Sequence, residues 1–368
     1  MGLKAGIVGL PNVGKSTLFN ALAKANVEAA NYPFATIKPN TGVVAVPDPR
    51  LEYLSKLFIP ERTIHATIEF IDIAGLVKGA SQGEGLGNQF LGHIRECDAI
   101  VEVVRVFEDP DIIHVENSVD PLRDIDIINL ELVMADLDTV NRRIERVGTR
   151  AKTSKETAAI FEYDVLSKAK RQLDQGLPSR TMRLSREEAD FLHKELHLLT
   201  MKPIVYVANV GESQLNGIEE HPSYRQLAAY AADHQASIIP ISCAIEAQIA
   251  QLEPEEQKEF LASIGATMSG LDLLVHATYR LLNLGTFFTV GRDECRAWTF
   301  GFGMKAPQCA GIIHSDFERG FIKAEVYHYD DIIKYGSEAA VKEAGKLRLE
   351  GKEYPMQDGD IVFYKFNV

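Results

Sequence analysis

The chain has 368 residues and a mass of 40.8 kDa, which predicts two or three domains rather than a single core. Its 46% hydrophobic and 25% charged content excludes intrinsic disorder and collagen-like sequence as descriptions of the whole chain. The net charge of −13 argues against a protein that covers nucleic acid with its entire surface. No apolar stretch is long enough to span a bilayer and no signal-peptide pattern is present, so we expect no membrane partner.

The four cysteines have no spacing typical of a metal or redox site; they are Cys97, Cys243, Cys295 and Cys309. We therefore expect free thiols in a reducing compartment, and a cytoplasmic location.

The first third of the chain alternates apolar, β-branched segments with helical or glycine-rich segments. These patterns predict strands at 5–10, 42–46, 67–73 and 99–107, and a helix at 15–25. Continuous apolar strands separated by helices are typical of a mostly parallel sheet covered on both faces. The sequence therefore predicts an α/β domain.

The middle of the chain changes to helical periodicity. Apolar residues recur at three- and four-residue steps over 130–147 and 158–173, which predicts two helices paired as an antiparallel hairpin. Ser185 and Glu188 have the spacing of a capping box for a third helix. Strand patterns return at 203–209 and 237–242, and from about residue 287 short β-rich segments predict a small α+β module. The predicted division is an α/β domain (1–125 with 203–277), a helical insertion (126–202) and a C-terminal domain (278–368).

Residues 9–16 read GLPNVGKS and match the phosphate-binding pattern G-x-x-x-x-G-K-[ST]. The match follows an apolar strand and begins a helix, where backbone N–H groups and the helix N-terminus can surround phosphate oxygens. We expect Lys15 to act on the β- and γ-phosphates and Ser16 to bind Mg²⁺. Further nucleotide contacts are expected from Asn12, Val13, Gly14 and Thr17. The alternative is an ordinary strand-to-helix turn.

A second pattern, D-x-x-G, follows at the carboxyl end of a strand, with Asp72 and Gly75. Asp72 is expected to hold Mg²⁺ through water, and the Gly75 N–H to approach the γ-phosphate. Leu76 stands where signalling GTPases place the glutamine that orients the attacking water. The chain then either hydrolyses slowly with help from another group or binds nucleotide without useful turnover. The next glycines predict a mobile switch loop or, alternatively, a structural loop; they are Gly79, Gly83, Gly85 and Gly87.

Base recognition is predicted at the sequence NVGE, residues 209–212, where GTPases use N-K-x-D. Val210 replaces the lysine that packs on guanine, and Glu212 replaces the aspartate that accepts two hydrogen bonds from it. We therefore expect a relaxed or inverted preference, with ATP favoured over GTP. In the alternative, Asn209 only caps a strand end. Three residues after the next strand resemble the loop that completes a base pocket; they are Ser242, Cys243 and Ala244.

His114 is our candidate for the catalytic group that replaces the missing glutamine. It lies in the loop after residues 99–107, on the ligand side of the predicted sheet. An ordinary surface histidine is the alternative. Asn12 is a candidate to help hold K⁺, which would take the place of an arginine finger.

Together these segments resemble the YchF-type Obg-like ATPases, a branch of the translation-factor-related GTPases. The resemblance covers essentially the whole chain and rests on GLPNVGKST, NYPFATIKPNTG, DIAGLVKGASQGEGLGNQFL, NVGE and APQCAGIIHSDFERGFIKAEV. It implies an α/β P-loop NTPase G domain with a mostly parallel sheet, an inserted helical coiled-coil hairpin and a C-terminal α+β ubiquitin-like β-grasp (TGS) domain. It also implies ATP hydrolysis in preference to GTP, Mg²⁺ binding through Ser16 and Thr36 rather than Thr41, and association with ribosomes, chiefly the large subunit.

Residues 139–186 contain twelve basic and five acidic residues, so this segment is +7 while the rest of the chain is −20. On a protruding hairpin the basic side chains would face RNA phosphates, although a solvated helix face is equally compatible. The residues concerned are Arg142, Arg143, Arg146, Arg150, Lys168, Lys170 and Arg171. Rival functions are a GTPase in ribosome assembly, a non-catalytic RNA-binding scaffold and a small-molecule P-loop kinase.

Overall fold

A computed structural model describes residues 3–24, 40–73, 86–153 and 156–367, with the side chains of 86–89 excepted. The chain forms two compact units, one from 1–43 and 69–274 and the other from 44–68 and 275–368. Within the described ranges, every helix is too short or too polar to span a bilayer.

The strands of the described chain are β1 (Lys4–Val8), β2 (Thr41–Ala45), β3 (Arg62–Ile64), β4 (Thr67–Asp72), β5 (Ala99–Arg105), β6 (Ile204–Asn209), β7 (Ser237–Ile241), β8 (Leu284–Val290), β9 (Glu294–Gly301), β10 (Phe321–His328), β11 (Arg348–Glu350) and β12 (Asp360–Phe366). The α-helices are α1 (Lys15–Lys24), α2 (Pro49–Phe58), α3 (Leu86–Arg95), α4 (Pro121–Thr153), α5 (Thr157–Leu173), α6 (Arg186–Asp190), α7 (Pro222–Asp233), α8 (Cys243–Ile249), α9 (Pro254–Ser263), α10 (Gly270–Leu281), α11 (Ala306–Ile313), α12 (Ser315–Arg319), α13 (Tyr329–Tyr335) and α14 (Glu338–Glu343).

The first sheet has the order β2-β4-β1-β5-β6-β7. Strand β1 is parallel to β4 and β5, and β6 is parallel to β5 and β7. Every residue of β5 and β6 is buried, as expected for strands covered on both faces. The mostly parallel α/β sheet predicted from the sequence is confirmed, and the carboxyl ends of β1, β4 and β6 lie at one edge of it.

The helical insertion is the α4–α5 hairpin predicted from the periodicity, with α4 beginning earlier than residue 126. Its core contains Val140 and Val147 of α4 packed with Val165, Leu166 and Ala169 of α5. Asp136 of α4 binds the chain just before β6, since its carboxylate accepts hydrogen bonds from Leu199 N at 2.8 Å and Thr200 N at 2.7 Å. The Ser185–Glu188 capping box is present at the start of α6, as predicted.

The second sheet has the order β11-β10-β12-β8-β9-β3. Strand β10 is antiparallel to β11 and β12, β8 is antiparallel to β9, and β12 is parallel to β8. Helix α11 packs on this sheet through Ala306, Cys309 and Ala310, which join a core with Phe287 and Phe300. This is the small α+β module expected at the C-terminal end.

The segment 44–68 groups with the C-terminal residues, whereas the sequence analysis placed it in the α/β domain. The physical reason is strand pairing: β3 is parallel to β9, with Thr63 opposite Cys295. The insertion does not form a unit of its own. The division into three domains by residue number stays a prediction.

Candidate nucleotide site

The turn between β1 and α1 has two residues in the left-handed region. They are Asn12 with φ 64° and Gly14 with φ 101°. A Cβ on Gly14 would lie 2.2 Å from Asn209 Nδ2, so this position requires glycine for its space as well as its backbone. Ser16 and Thr17 are exposed at the N-terminus of α1. This is the geometry that a phosphate loop needs, with amides and hydroxyls at a helix N-terminus.

The ammonium group of Lys15 is buried and forms an ion pair with Asp72. Their proximity follows from the sheet, because Asp72 is the last residue of β4 and stands opposite Ile7 on β1. The structure therefore brings together the lysine of the first motif and the aspartate of the second.

Asn209 joins the phosphate loop to the loop after β7. Its side-chain amide donates to Val13 O at 2.8 Å, and its Oδ1 accepts from Cys243 N at 3.1 Å. Asn209 is buried, so both hydrogen bonds are shielded from water. It is therefore more than a strand cap, because it fixes the position of both walls of the site.

A cavity of 710 Å³ extends from the phosphate loop to the end of β6, a volume suited to a nucleotide-sized ligand. Nine residues predicted from the sequence line it: Asn12, Gly14, Thr17, Asn209, Val210, Glu212, Ser242, Cys243 and Ala244. Five other predicted residues are described but are not among its lining residues: Val13, Lys15, Ser16, Asp72 and His114.

The end of the cavity near β7 contains polar groups suited to a base. Glu212 is exposed there, whereas Val210 is buried. Ser242 Oγ is buried and has no hydrogen-bond partner among the described residues. Burial raises the pKa of Cys243 to about 12, so this side chain is a neutral thiol at physiological pH.

Gln214 and His221 are among the cavity residues that were not predicted from the sequence. Gln214 Oε1 accepts from Gly211 N at 2.7 Å, and Gln214 Nε2 lies 3.3 Å from His221 Nε2. Both side chains line the cavity beyond NVGE. Their positions depend on the turn after β6, for which the sequence offered no motif.

Arg105 holds the loop that forms another wall of the cavity. Its buried guanidinium donates to three main-chain carbonyls, those of Phe107 at 3.0 Å, Asp109 at 3.1 Å and Ile112 at 2.9 Å. Asn12 of the phosphate loop donates to Ile113 O in the same loop at 3.1 Å. The available signal was an arginine at the end of a strand that is apolar apart from Glu102, AIVEVVR.

His114 is buried in this loop rather than lying on the surface. Its Nε2 lies 2.8 Å from Asp124 Oδ2, and its Nδ1 accepts from Glu116 N at 3.2 Å. This pattern places the ring proton on Nε2, where it is donated to Asp124. With both nitrogens engaged, the catalytic role of His114 stays a prediction that requires the loop to move.

Known proteins resemble this chain over its whole length. A model described as a 50S ribosome-binding GTPase matches residues 4–139, and a model of the C-terminal domain of YchF GTPases matches 284–367. Proteins called ribosome-binding ATPase YchF from Bacillus subtilis and Haemophilus influenzae are 55% and 53% identical, over all of this chain and all of theirs. The Schizosaccharomyces pombe YchF GTPase structure is 40% identical, with a TM-score of 0.89 over 99% of this chain and 98% of that one. The chain belongs to the YchF family.

Membership of the YchF family confirms the resemblance and the fold class predicted from the sequence, a P-loop NTPase domain followed by a C-terminal domain. Thr36, Gly75, Leu76 and the glycines up to residue 85 lie outside the described residues.

Proposed function

We propose that this chain is an ATP-hydrolysing switch that binds ribosomes and acts in the regulation of translation. The observation that carries the proposal is the 710 Å³ cavity, which connects Gly14 and Thr17 at one end with Glu212 and Ser242 at the other. Two relatives, 55% and 53% identical, are called ribosome-binding ATPase YchF. Their name supports both ATP hydrolysis and ribosome binding.

At the phosphate end, Lys15 supplies a buried positive charge whose present partner is Asp72. A triphosphate competes with Asp72 for this ammonium group, which frees the carboxylate for other contacts. The residues fit Mg²⁺, because Ser16 offers an exposed hydroxyl and Asp72 a carboxylate, the oxygen ligands that this ion prefers. Bound Mg²⁺ would neutralise charge on the β- and γ-phosphates. Thr36 is proposed as a further ligand, and the Asn12 side chain as a contributor to a K⁺ site.

At the base end, we propose that ATP is preferred over GTP. Guanine selection in GTPases depends on an aspartate at the position of Glu212 and a lysine at that of Val210. Here the longer carboxylate is exposed at the cavity and the apolar Val210 is buried. Ser242 Oγ, which has no described partner, is available to hydrogen-bond a base edge. A GTPase in ribosome assembly is the second candidate, favoured by the model that matches residues 4–139.

Competition binding and turnover test this proposal. We expect ATP to displace a labelled nucleotide more effectively than GTP, and Glu212→Asp to shift the preference toward GTP by about tenfold. Lys15→Ala should abolish turnover, measured with and without ribosomes, whereas Lys24→Ala, at the exposed far end of α1, should retain it. A strong preference of the wild type for GTP would refute the base assignment. Turnover that survives Lys15→Ala would refute the phosphate assignment.

A further inference from the structure

A second cavity, of 320 Å³, lies where the end of α3 approaches α4. It is lined by Arg95, Thr139, Arg142, Arg143, Arg146, Glu195 and Leu196. We propose that its four arginines, here called the arginine pocket, form a binding site for the phosphodiester groups of an RNA strand. Arg95 was not singled out by the sequence analysis, and it lies far from the basic segment 139–186 along the chain.

The charges in the arginine pocket are only partly neutralised. Arg143 forms an ion pair with Glu162, and the nearest carboxylate oxygen to Arg142 is that of Asp138 at 3.8 Å. Neither Arg95 nor Arg146 has an ion pair with any residue that the structure describes. Glu195 is the one acidic residue among the lining residues. An anion entering the pocket therefore meets a strong excess of positive charge.

Buried hydrogen bonds fix the backbone around this pocket. Lys202, which is 6% exposed, donates its ammonium protons to Arg95 O at 3.1 Å and to Cys97 O. Asp136 of α4 holds residues 199 and 200, three and two positions before Lys202, as described above. The end of α3 and the middle of α4 are thus tied to the same short segment, so Arg95 and Arg142 are held near each other before any ligand binds.

Guanidinium groups match phosphate oxygens with two parallel hydrogen bonds, and Arg is preferred over Lys where this geometry matters. Arg142 and Arg146 are four residues apart on α4, hence on one face and about 6 Å apart along the axis. Arg150 continues this row by one more turn. A row of positive charge beyond the pocket fits a strand that repeats its negative charge at every nucleotide better than it fits a single acidic side chain. The choice of RNA rests on the proposed association with ribosomes.

The test measures binding of a short single-stranded RNA by fluorescence anisotropy over a series of salt concentrations. Arg142→Ala/Arg146→Ala should weaken binding at least about tenfold, and reduce the slope of log K against log salt by about 1.4. Arg142→Lys/Arg146→Lys should restore most of the slope but not the affinity, because the charge remains and the paired hydrogen bonds do not. The matched control is Arg183→Ala/Arg186→Ala, which removes two exposed positive charges from the same helical insertion, outside the pocket and outside the residues named above for RNA contact, and should bind like wild type.

Sedimentation with ribosomes separates this inference from the proposed function. If wild type sediments with ribosomes and the Arg142/Arg146 alanine variant binds both RNA and ribosomes as tightly, the pocket is refuted while the proposed function stands. If wild type does not sediment but the variants lose RNA binding as described, the pocket is supported and ribosome association fails. Tighter binding of polyglutamate than of RNA would overturn the RNA assignment in favour of an acidic protein. Unchanged thermal unfolding of the variants confirms that they are folded.

Discussion

Glu102 is a buried acid in the middle of β5, with both carboxylate oxygens lacking a hydrogen-bond partner among the described residues. Burial raises its pKa to about 8, against the opposing effect of the positive charge on Arg180. Arg180 itself donates to Asn129 Oδ1 at 2.8 Å. A carboxyl group in this setting is costly when ionised, so its protonation state contributes to the stability of the first unit.

This residue gives a prediction for the pH dependence of stability. Because the folded pKa lies above the unfolded one, the folded state binds more protons between about pH 4.5 and about pH 8, and stability falls as pH rises through this window. Glu102→Gln should remove that contribution, up to about 1.4 kcal/mol per pH unit. Urea unfolding at several pH values measures it, with the exposed Glu220→Gln as control. If the free energy of unfolding changed with pH in the same way for wild type and Glu102→Gln, the prediction would be contradicted.

Among the elements, the loop between β5 and α4 connects the nucleotide cavity to the helical insertion. Asn12 and Arg105 hold its first half, beside the phosphate loop. His114 holds its second half through Asp124, which lies in the first turn of α4. Burial raises the pKa of Asp124, and the hydrogen bonds that it accepts from Arg123 and His114 oppose this rise. The buried His114–Asp124 pair is therefore a direct link between this loop and the helix that carries Arg142 and Arg146.

A double-mutant cycle tests this link. His114→Ala and Asp124→Ala should each lower the free energy of unfolding by about 1–3 kcal/mol, because each leaves a buried polar partner unsatisfied. The double variant should be less destabilised than the sum, with a coupling of about 0.5–3 kcal/mol. The exposed His93→Ala is the control. Additive effects would show that the pair is not coupled. Turnover measured on the same proteins tests the catalytic role predicted for His114.

For the molecule as a whole, residues 44–68 belong with the C-terminal unit, and Arg50 is central to that grouping. Its guanidinium bonds Asp48 at 2.8 Å and Asp358 at 2.7 Å, and its Cζ lies 5.2 Å from the centre of the Phe288 ring. Asp358 also accepts from Thr286 N at 2.7 Å, so one carboxylate joins α2 to β8. The planar guanidinium of Arg50 bonds two carboxylates at once, and the single ammonium group of a lysine cannot reproduce this geometry.

Arg50→Ala should destabilise the C-terminal unit by about 1–3 kcal/mol, because it removes charge-assisted hydrogen bonds and the packing of the side chain on Phe288. Arg50→Lys should recover less than half of the loss. Trp298 of β9, the single tryptophan of the chain, reports unfolding of this unit through its fluorescence. The exposed Arg292→Ala should unfold like wild type. An equal effect of Arg50→Ala and Arg292→Ala would refute the role of Arg50.

Much of the nucleotide site was predictable because its residues form contiguous motifs at the ends of strands. Once β1, β4 and β6 are parallel strands of one sheet, with β5 between β1 and β6, Gly14, Asp72 and Asn209 all lie at its carboxyl edge. The bridge from Asn209 to Val13 and Cys243 was not predictable, since it depends on side-chain direction across three separate loops. The same is true of Arg105, whose partners are main-chain carbonyls that carry no sequence signal.

The sequence by itself determined the α/β class, the phosphate loop, the helical hairpin and the family, because each depends on local periodicity or on a contiguous motif. Only the tertiary structure decided that 44–68 joins the C-terminal residues, that His114 faces Asp124, and that Arg95 meets Arg142 and Arg146 in one pocket. These contacts join residues far apart in the chain. Their energies depend on which surfaces pack together, and no local pattern of residues encodes that choice.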